Sequence, residues 1–193
     1  PETLLQKADM SMLRAKQRGR NTYDVFDSSI AKQLERRVQM RNELQEAIDT
    51  DGLELHYQSI VDASGGLCGF EALMRWQHKQ RGSVPPSEFI TLAEETGQIA
   101  QLTSWSLRQA CLDARLLVES GILTGRMSVN ISSTQFHRFN FLDLVRGILE
   151  ETGLDPMYLE LELTETVLMQ DIAAARELIE ELIEMGVTTA IDD

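Results

Sequence analysis

Residues 126–163 read RMSVNISSTQFHRFNFLDLVRGILEETGLDPMYLELEL, and this stretch decides the fold. Arg126–Ile131, in which Val129 and Ile131 are apolar, predicts a buried strand, and Tyr158–Leu163 predicts a second strand. Phe141–Glu151 has the apolar spacing of a helix and is followed by Gly153, a common residue just after a helix end. A helix between two buried strands is typical of parallel strand pairing, so the stretch predicts an α/β domain.

The same alternation extends in both directions from this stretch. Upstream, Leu53–Val61 and Leu67–Trp76 predict two strands joined by a turn at residues 64–66, and therefore a hairpin. Two helices follow, one opened by Pro85-Pro86 and one over residues 99–119. Downstream, Asp171 caps a predicted helix that reaches Met185, and residues 187–191 predict a last strand. Five predicted strands fit either an open doubly wound sheet or part of an eight-stranded barrel.

The first 50 residues have a different pattern. Residues 1–18 predict a helix with Gly19 as its stop, and residues 21–26 predict a short extended piece. Residues 29–50 predict a helix that leads into the main domain, and its apolar stripe would serve either simple packing or a coiled-coil dimer seam. We therefore divide the chain into a tail of a preceding domain at 1–27, a linking helix at 28–50 and the main domain at 51–193.

The composition of the 193 residues is that of a globular protein, with a formal net charge of −13. A general nucleic-acid binder is usually basic, so no long nucleic acid is expected as a partner. A small anionic ligand stays possible, because bound cations can reverse the local field. No apolar run reaches the roughly 20 residues of a membrane helix. The chain starts at Pro1, so we expect an excised piece of a longer parent protein that has lost upstream segments.

Acidic and amide side chains lie at or near the ends of four predicted strands. Glu71 shares a strand face with Arg75, which indicates either a salt bridge or an arginine that holds a phosphate oxygen. Asn130 lies between apolar neighbours and is either a turn residue or a neutral oxygen ligand. Hard divalent cations prefer such oxygen donors.

Acids also alternate with leucines in residues 159–165, LELELTE. Glu160 and Glu162 share a face, so either this strand has one face in water or its acids point into a site. Glu165 lies past the strand end. Asp192 and Asp193 follow the last strand, and they either cap a following helix or address two metals, or one metal and a water.

The other residue types give weaker signals. Both cysteines, Cys68 and Cys111, fall in apolar patterns and are expected in the core. Four methionines are expected as core fillers, at positions 127, 157, 169 and 185. The three histidines show no ligand spacing, although His78 is close enough to Arg75 in sequence to line a cleft.

Six segments in one order over residues 53–193 resemble the EAL domain family of bacterial cyclic di-GMP phosphodiesterases. They are YQSIV (57–61), FEALMRW (70–76), FITLAEETG (89–97), SVNIS (128–132), ELTE (162–165) and IDD (191–193). The resemblance implies an incomplete TIM-like (β/α) barrel of the EAL type with an antiparallel first strand.

The resemblance also implies roles for individual residues. Glu71, Asn130, Glu162 and Asp192 match metal-ligand positions, and Asp193 matches a second-metal or water-orienting position. Gln58 and Arg75 match contacts to the dinucleotide. Two Mg²⁺ or Mn²⁺ ions and in-line attack by water would yield linear pGpG. Glu71 and Asp193 are thus the expected catalytic residues.

Two further expectations come from the resemblance. Residues 1–27 are similar to the end of a GGDEF (diguanylate cyclase) domain, through ADM (8–10), AK (15–16) and GRN (19–21). The chain departs from the EAL pattern at Ser59, where proline is usual. Family members also supply a lysine, a glutamate, a glutamine and a loop from beyond the paired aspartates.

The expected function is therefore metal-dependent hydrolysis of cyclic di-GMP by the parent protein, with this chain inactive alone. The alternatives are a catalytically inactive EAL domain that acts as a cyclic di-GMP receptor, or a dimerisation module built on the linking helix and unpaired strand edges. A homodimer is expected in either case. The expected location is the cytoplasm, where a lost N-terminal region could anchor the parent protein to the inner membrane.

Overall fold

The structure is a computed structural model that describes residues 4–17, 23, 28–50, 52–138, 140–165 and 171–192. The chain forms two compact units, Pro1–Glu43 and Leu44–Asp193. Helix α1 (Leu4–Gln17) belongs to the first unit, and helix α2 (Ser28–Asp49) begins in the first unit and ends in the second. The predicted stop at Gly19 and the extended piece at 21–26, apart from Tyr23, lie outside the described residues.

The second unit alternates strands and helices as the sequence predicts. Its strands are β1 (Leu53–Val61), β2 (Leu67–His78), β3 (Gly82–Val84), β4 (Arg126–Ile131), β5 (Leu159–Thr164) and β6 (Thr188–Asp192). Its helices are α3 (Pro86–Thr96), α4 (Ile99–Glu119), the short α5 (Ser133–Phe136), α6 (Phe141–Thr152) and α7 (Ile172–Glu184). None of the described helices is both long enough and apolar enough to cross a membrane.

All of these strands form one mixed sheet in the order β1-β2-β4-β5-β6, and β3 pairs with β2. The first strand, β1, is antiparallel to β2, and β2, β4, β5 and β6 run parallel to one another. This agrees with the predicted hairpin followed by strand–helix repeats. The antiparallel first strand and the parallel run are the expected features of the EAL-type barrel.

Helices cover one face of the sheet. The core joins buried residues of α4, α6 and α7 to strand residues of a single face, among them Ala72, Val129 and Leu161. In β5 the leucines at 159, 161 and 163 are buried, and the acids between them lie on the other face. The alternation of LELEL thus separates a covered face from an open one, as expected for part of a barrel rather than a doubly wound sheet.

Two glycines allow β2 and β4 to approach each other at their starts. A Cβ atom on Gly125 would lie 1.6 Å from the Cys68 carbonyl oxygen, and one on Gly69 would lie 2.3 Å from the Arg126 carbonyl oxygen. A side chain at either position would therefore force the strands apart. These glycines help to set the register that brings Glu71 level with Ser128.

The structure corrects three predictions. Six strands, not five, lie in the described part of the chain, because Gly82–Val84 is too short to show alternation. Cys68 is exposed, since it is the second residue of β2 and lies next to the hairpin turn; Cys111 is buried as predicted. Met157 is 57% exposed because it lies in a 3₁₀ turn ahead of β5. Met169 lies outside the described residues.

Candidate active site

The candidate residues lie on the open face of the sheet. Register pairs Gln58 with Glu71, Glu71 with Ser128, and Asn130 with Glu162. Paired residues of neighbouring strands point to the same face, so Gln58, Glu71, Asn130 and Glu162 share one face across four adjacent strands. Asn130 and Glu162 are near the carboxyl ends of their parallel strands, the end at which barrel active sites lie.

A hydrogen bond joins the two central members of this group. The Asn130 side chain donates from Nδ2 to Oε1 of Glu71 over 2.8 Å, and both side chains are half-buried. A half-buried carboxylate needs such a partner. Because the Asn130 amide nitrogen donates to Glu71, its Oδ1 oxygen can act as a neutral ligand. This contact favours the ligand interpretation of Asn130 over that of a turn residue.

Two further predicted ligands, Glu162 and Asp192, belong to the next two strands of the sheet. Glu162 is half-buried on β5, next to Asn130. Asp192 is the last residue of β6 and pairs in register with Thr164, and its side chain lies outside what the structure describes. Asp193 also lies outside the described residues. The backbone therefore brings Asp192 to the carboxyl edge of the same sheet face as Glu162.

Gln58 and Arg75 lie on either side of Glu71 on the open face. Gln58 is exposed on β1, and Arg75 is half-buried on β2, four residues after Glu71. Arg75 donates from Nη1 to the Met74 carbonyl oxygen at 2.9 Å, whereas Glu71 accepts from Asn130. Arg75 and Glu71 form no salt bridge with each other. Arg75 thus keeps other guanidinium donors for a ligand. His78 caps a turn instead, since its Nδ1 accepts from the Gln80 and Arg81 amides.

The other acid of β5, Glu160, lies nearer the start of the strand and contacts protein side chains there. Glu160 accepts a hydrogen bond from the Ser128 hydroxyl at 2.8 Å and lies 3.9 Å from the Arg126 guanidinium. These contacts satisfy the carboxylate at the amino end of the strands, away from Glu162. Glu165 lies just past the end of β5, as predicted.

The donor set fits a divalent cation of the hard type. Glu71, Asn130 and Glu162 offer two carboxylates and one amide oxygen from three neighbouring strands, all oxygen ligands. No cluster of three or more His, Cys, Asp and Glu side chains forms among the described residues. The predicted source of a third carboxylate is Asp192, at the end of the next strand.

A comparison with protein families decides the classification. Residues 41–193 match the family described as the EAL domain. The chain belongs to the EAL domain family. The match contains every strand of the sheet and all of the candidate residues, including Glu71-Ala72-Leu73 on β2.

Relatives from Pseudomonas aeruginosa show how much of such a protein this EAL chain represents. It is 39% identical over 191 residues to "Bifunctional diguanylate cyclase/cyclic di-GMP phosphodiesterase MucR", covering 98% of this chain and 28% of that protein. It is 41% identical over 193 residues to "Cyclic di-GMP phosphodiesterase NbdA", covering 100% of this chain and 25% of that protein. The chain thus spans about a quarter of the length of these curated relatives.

Solved structures of EAL proteins share the fold. The "PaMucR Phosphodiesterase, c-di-GMP complex" superposes with a TM-score of 0.77 at 39% identity, over 80% of this chain and 63% of that one. The "EAL Enzyme Bd1971" in its cAMP- and cyclic-di-GMP-bound form has a TM-score of 0.77 at 25% identity, over 100% of this chain and 52% of that one. These matches confirm the TIM-like α/β architecture of the EAL chain.

The structure contains one polar cluster that the sequence patterns of this EAL domain did not predict. The Tyr57 hydroxyl donates to Oδ2 of Asp113 on α4, and Gln109 donates to both oxygens of the same carboxylate at 3.1 Å. Tyr57 and Asp113 are 56 residues apart, so no local spacing connects them. Only the packing of β1 on α4 brings them together.

Proposed function

We propose that the protein containing this chain hydrolyses cyclic di-GMP to linear pGpG and depends on divalent cations. The observation that carries the proposal is the row of Glu71, Asn130 and Glu162 on three adjacent strands, with Asp192 ending the next strand on the same face. Relatives named as cyclic di-GMP phosphodiesterases support the choice of substrate. A TIM-like relative in complex with c-di-GMP supports it as well.

The charge of the site explains why cations are needed. The open face carries Glu71 and Glu162 in a protein of net charge −13, and these charges repel an anionic dinucleotide. When bound, two Mg²⁺ or Mn²⁺ ions would neutralise charge on the phosphodiester and activate the attacking water. In this proposal the residues that would hold them are Glu71, Asn130, Glu162 and Asp192, with Asp193 at the second ion or the water.

Residues of this chain would orient the Glu71 carboxylate and the substrate phosphate. Asn130 fixes one oxygen of Glu71 through the 2.8 Å hydrogen bond, so the other is held in a set direction. Arg75 would hold a phosphate oxygen with its planar guanidinium, and Gln58 would contact the dinucleotide from β1. In this proposal the phosphate would lie between the acids and the arginine, an arrangement that favours in-line attack.

The proposal covers the parent protein beyond this chain. We propose that the complete EAL domain is needed for turnover, that residues 1–27 are the end of a GGDEF-like domain and that the parent protein is a homodimer. Its proposed location is the cytoplasm. A receptor that binds the dinucleotide without hydrolysis is the alternative that the experiment must separate.

The test is hydrolysis of cyclic di-GMP by the parent protein with Mg²⁺ or Mn²⁺, read by chromatography of the products. Glu71→Ala is expected to abolish turnover, whereas Glu88→Ala, which removes an exposed carboxylate from the first turn of α3, is expected to leave it unchanged. Full turnover in Glu71→Ala would overturn the role of Glu71. Binding without hydrolysis by the unmodified parent protein would favour the receptor.

A further inference from the structure

Strand β1 lies at the end of the described sheet and packs against helices on one of its faces. Among the described residues it pairs with β2. Alternate side chains of a strand lie on opposite faces, so packing on one face helps to set the position of the residues on the other. On the helix-covered face Leu55 and Tyr57 pack against the core, while Gln58 points to the opposite, open face.

The polar part of this packing is concentrated at Tyr57. Its hydroxyl donates to Asp113 of α4, and Gln109, one turn earlier on the same helix, donates to both carboxylate oxygens. Burial, and then the hydrogen bond to Asp113, raise the pKa of the Tyr57 hydroxyl. The hydroxyl therefore stays protonated and serves as a donor throughout the neutral range.

The helix that holds this contact is itself firmly packed. Helix α4 has eight buried residues, among them Leu107, Ala110 and Ala114 around the level of Gln109 and Asp113. The Asp113 carboxylate is half-buried, and its donors from Tyr57 and Gln109 satisfy it there. Asp113 therefore has a fixed position on α4, and its hydrogen bond to Tyr57 connects β1 to that helix.

The connection at Tyr57 is next to a residue of the candidate site. Gln58 is the residue directly after Tyr57 and lies in register with Glu71. We propose that Tyr57 and Asp113 are positioning residues, which hold β1 against α4 so that Gln58 can contact the cyclic dinucleotide. This rests on the proposed function, because it assigns a support to a residue of that site. Tyr57 itself lies on the helix-covered face and does not touch the substrate.

The test is a comparison of KM and kcat for cyclic di-GMP in the parent protein carrying Tyr57→Phe. Loss of the hydroxyl should raise KM by about three- to tenfold and change kcat by less than about twofold, because substrate binding weakens without altering the chemical step. The matched control is Tyr23→Phe, the same change at a tyrosine that is 85% exposed, and it should leave both constants unchanged. A role in stability alone would reduce the active fraction, and so kcat, without raising KM.

A second pair of variants tests the partner. Asp113→Asn keeps an oxygen that can accept from Tyr57 and should raise KM less than Asp113→Leu, which keeps none. If both leave KM at the value of the unmodified protein, or if Tyr57→Phe does, the positioning role is wrong while the proposed function stands. If the unmodified parent protein neither hydrolyses nor binds cyclic di-GMP, both proposals fail together. If it binds without turnover, the same shifts are expected in Kd, and an unchanged Kd overturns the positioning role.

Discussion

Asn130→Asp is the substitution that examines the candidate metal site most closely. The Asn130 nitrogen donates to Glu71 over 2.8 Å, and both side chains are half-buried. The substitution replaces this donor with a carboxylate of nearly the same size. The hydrogen bond is lost, and two like charges face each other across adjacent strands.

The magnitude is set by these two effects. A hydrogen bond to a charged group contributes about 1.5–3 kcal/mol. Two charges about 4 Å apart repel by about 1 kcal/mol in water and about 4 kcal/mol at an effective dielectric constant of 20. Since both groups are half-buried, we take the lower end of each range, a loss of about 2–3 kcal/mol without cations. For a domain of this size that lowers Tm by roughly 4–12 °C.

Divalent cations should reverse this loss. The added carboxylate is a better ligand than an amide, and a cation at a hundred times its Kd stabilises the folded state by about 2.7 kcal/mol. Thermal unfolding of the parent protein is measured with a chelator and then with Mg²⁺ or Mn²⁺. The control is Asn130→Leu, which loses the hydrogen bond without adding a ligand and should gain less stability from the cations than Asn130→Asp does.

Two results would refute the reasoning. If Asn130→Asp is as stable as the unmodified protein in chelator, then the contact with Glu71 is not formed. If it is less stable but cations restore it no more than they restore Asn130→Leu, then this face of the sheet does not hold a cation.

The remaining predictions concern binding, thiol chemistry and the core. Arg75→Ala should raise KM for cyclic di-GMP by about tenfold or more through the lost phosphate contact, whereas Arg146→Ala, on the exposed side of α6, should not; steady-state kinetics measures both. A thiol reagent at pH 8 should modify the exposed Cys68 and spare Cys111 until urea is added. Burial raises the pKa of the Cys111 thiol from 9.0 to about 12. As the pH rises, the unfolded chain therefore loses this proton before the folded protein does, and urea titrations should show the free energy of unfolding falling above pH 9. Leu161→Ala, at a fully buried position, should lower the free energy of unfolding by about 2–5 kcal/mol in the same titrations.

Much of the fold follows from local sequence patterns. The period of two in LELEL and the helical spacing of residues 141–151 predicted β5 and α6 to within a residue or two. These patterns are readable because each element buries one face. Strand β3 has three residues, too few to show a period of two, and the exposure of Cys68 beside the hairpin turn depends on tertiary packing that local patterns do not record.

For the candidate site, the sequence predicted which strands carry the residues but not which side chains contact one another. The sequence placed Glu71 and Asn130 on strands and left open whether Glu71 pairs with Arg75. The structure answers this with a hydrogen bond between residues 59 apart. The Tyr57–Asp113 contact was missed for the same reason, since it depends on how β1 packs on α4.

Cyclic di-GMP turnover should be measured, with Mg²⁺ or Mn²⁺, for this chain and for a version extended to a full barrel. Chromatography separates cyclic di-GMP from linear pGpG. We predict that the extended protein forms pGpG only when a divalent cation is present, and that residues 1–193 alone form none. No turnover by the extended protein under any of these conditions would contradict the account.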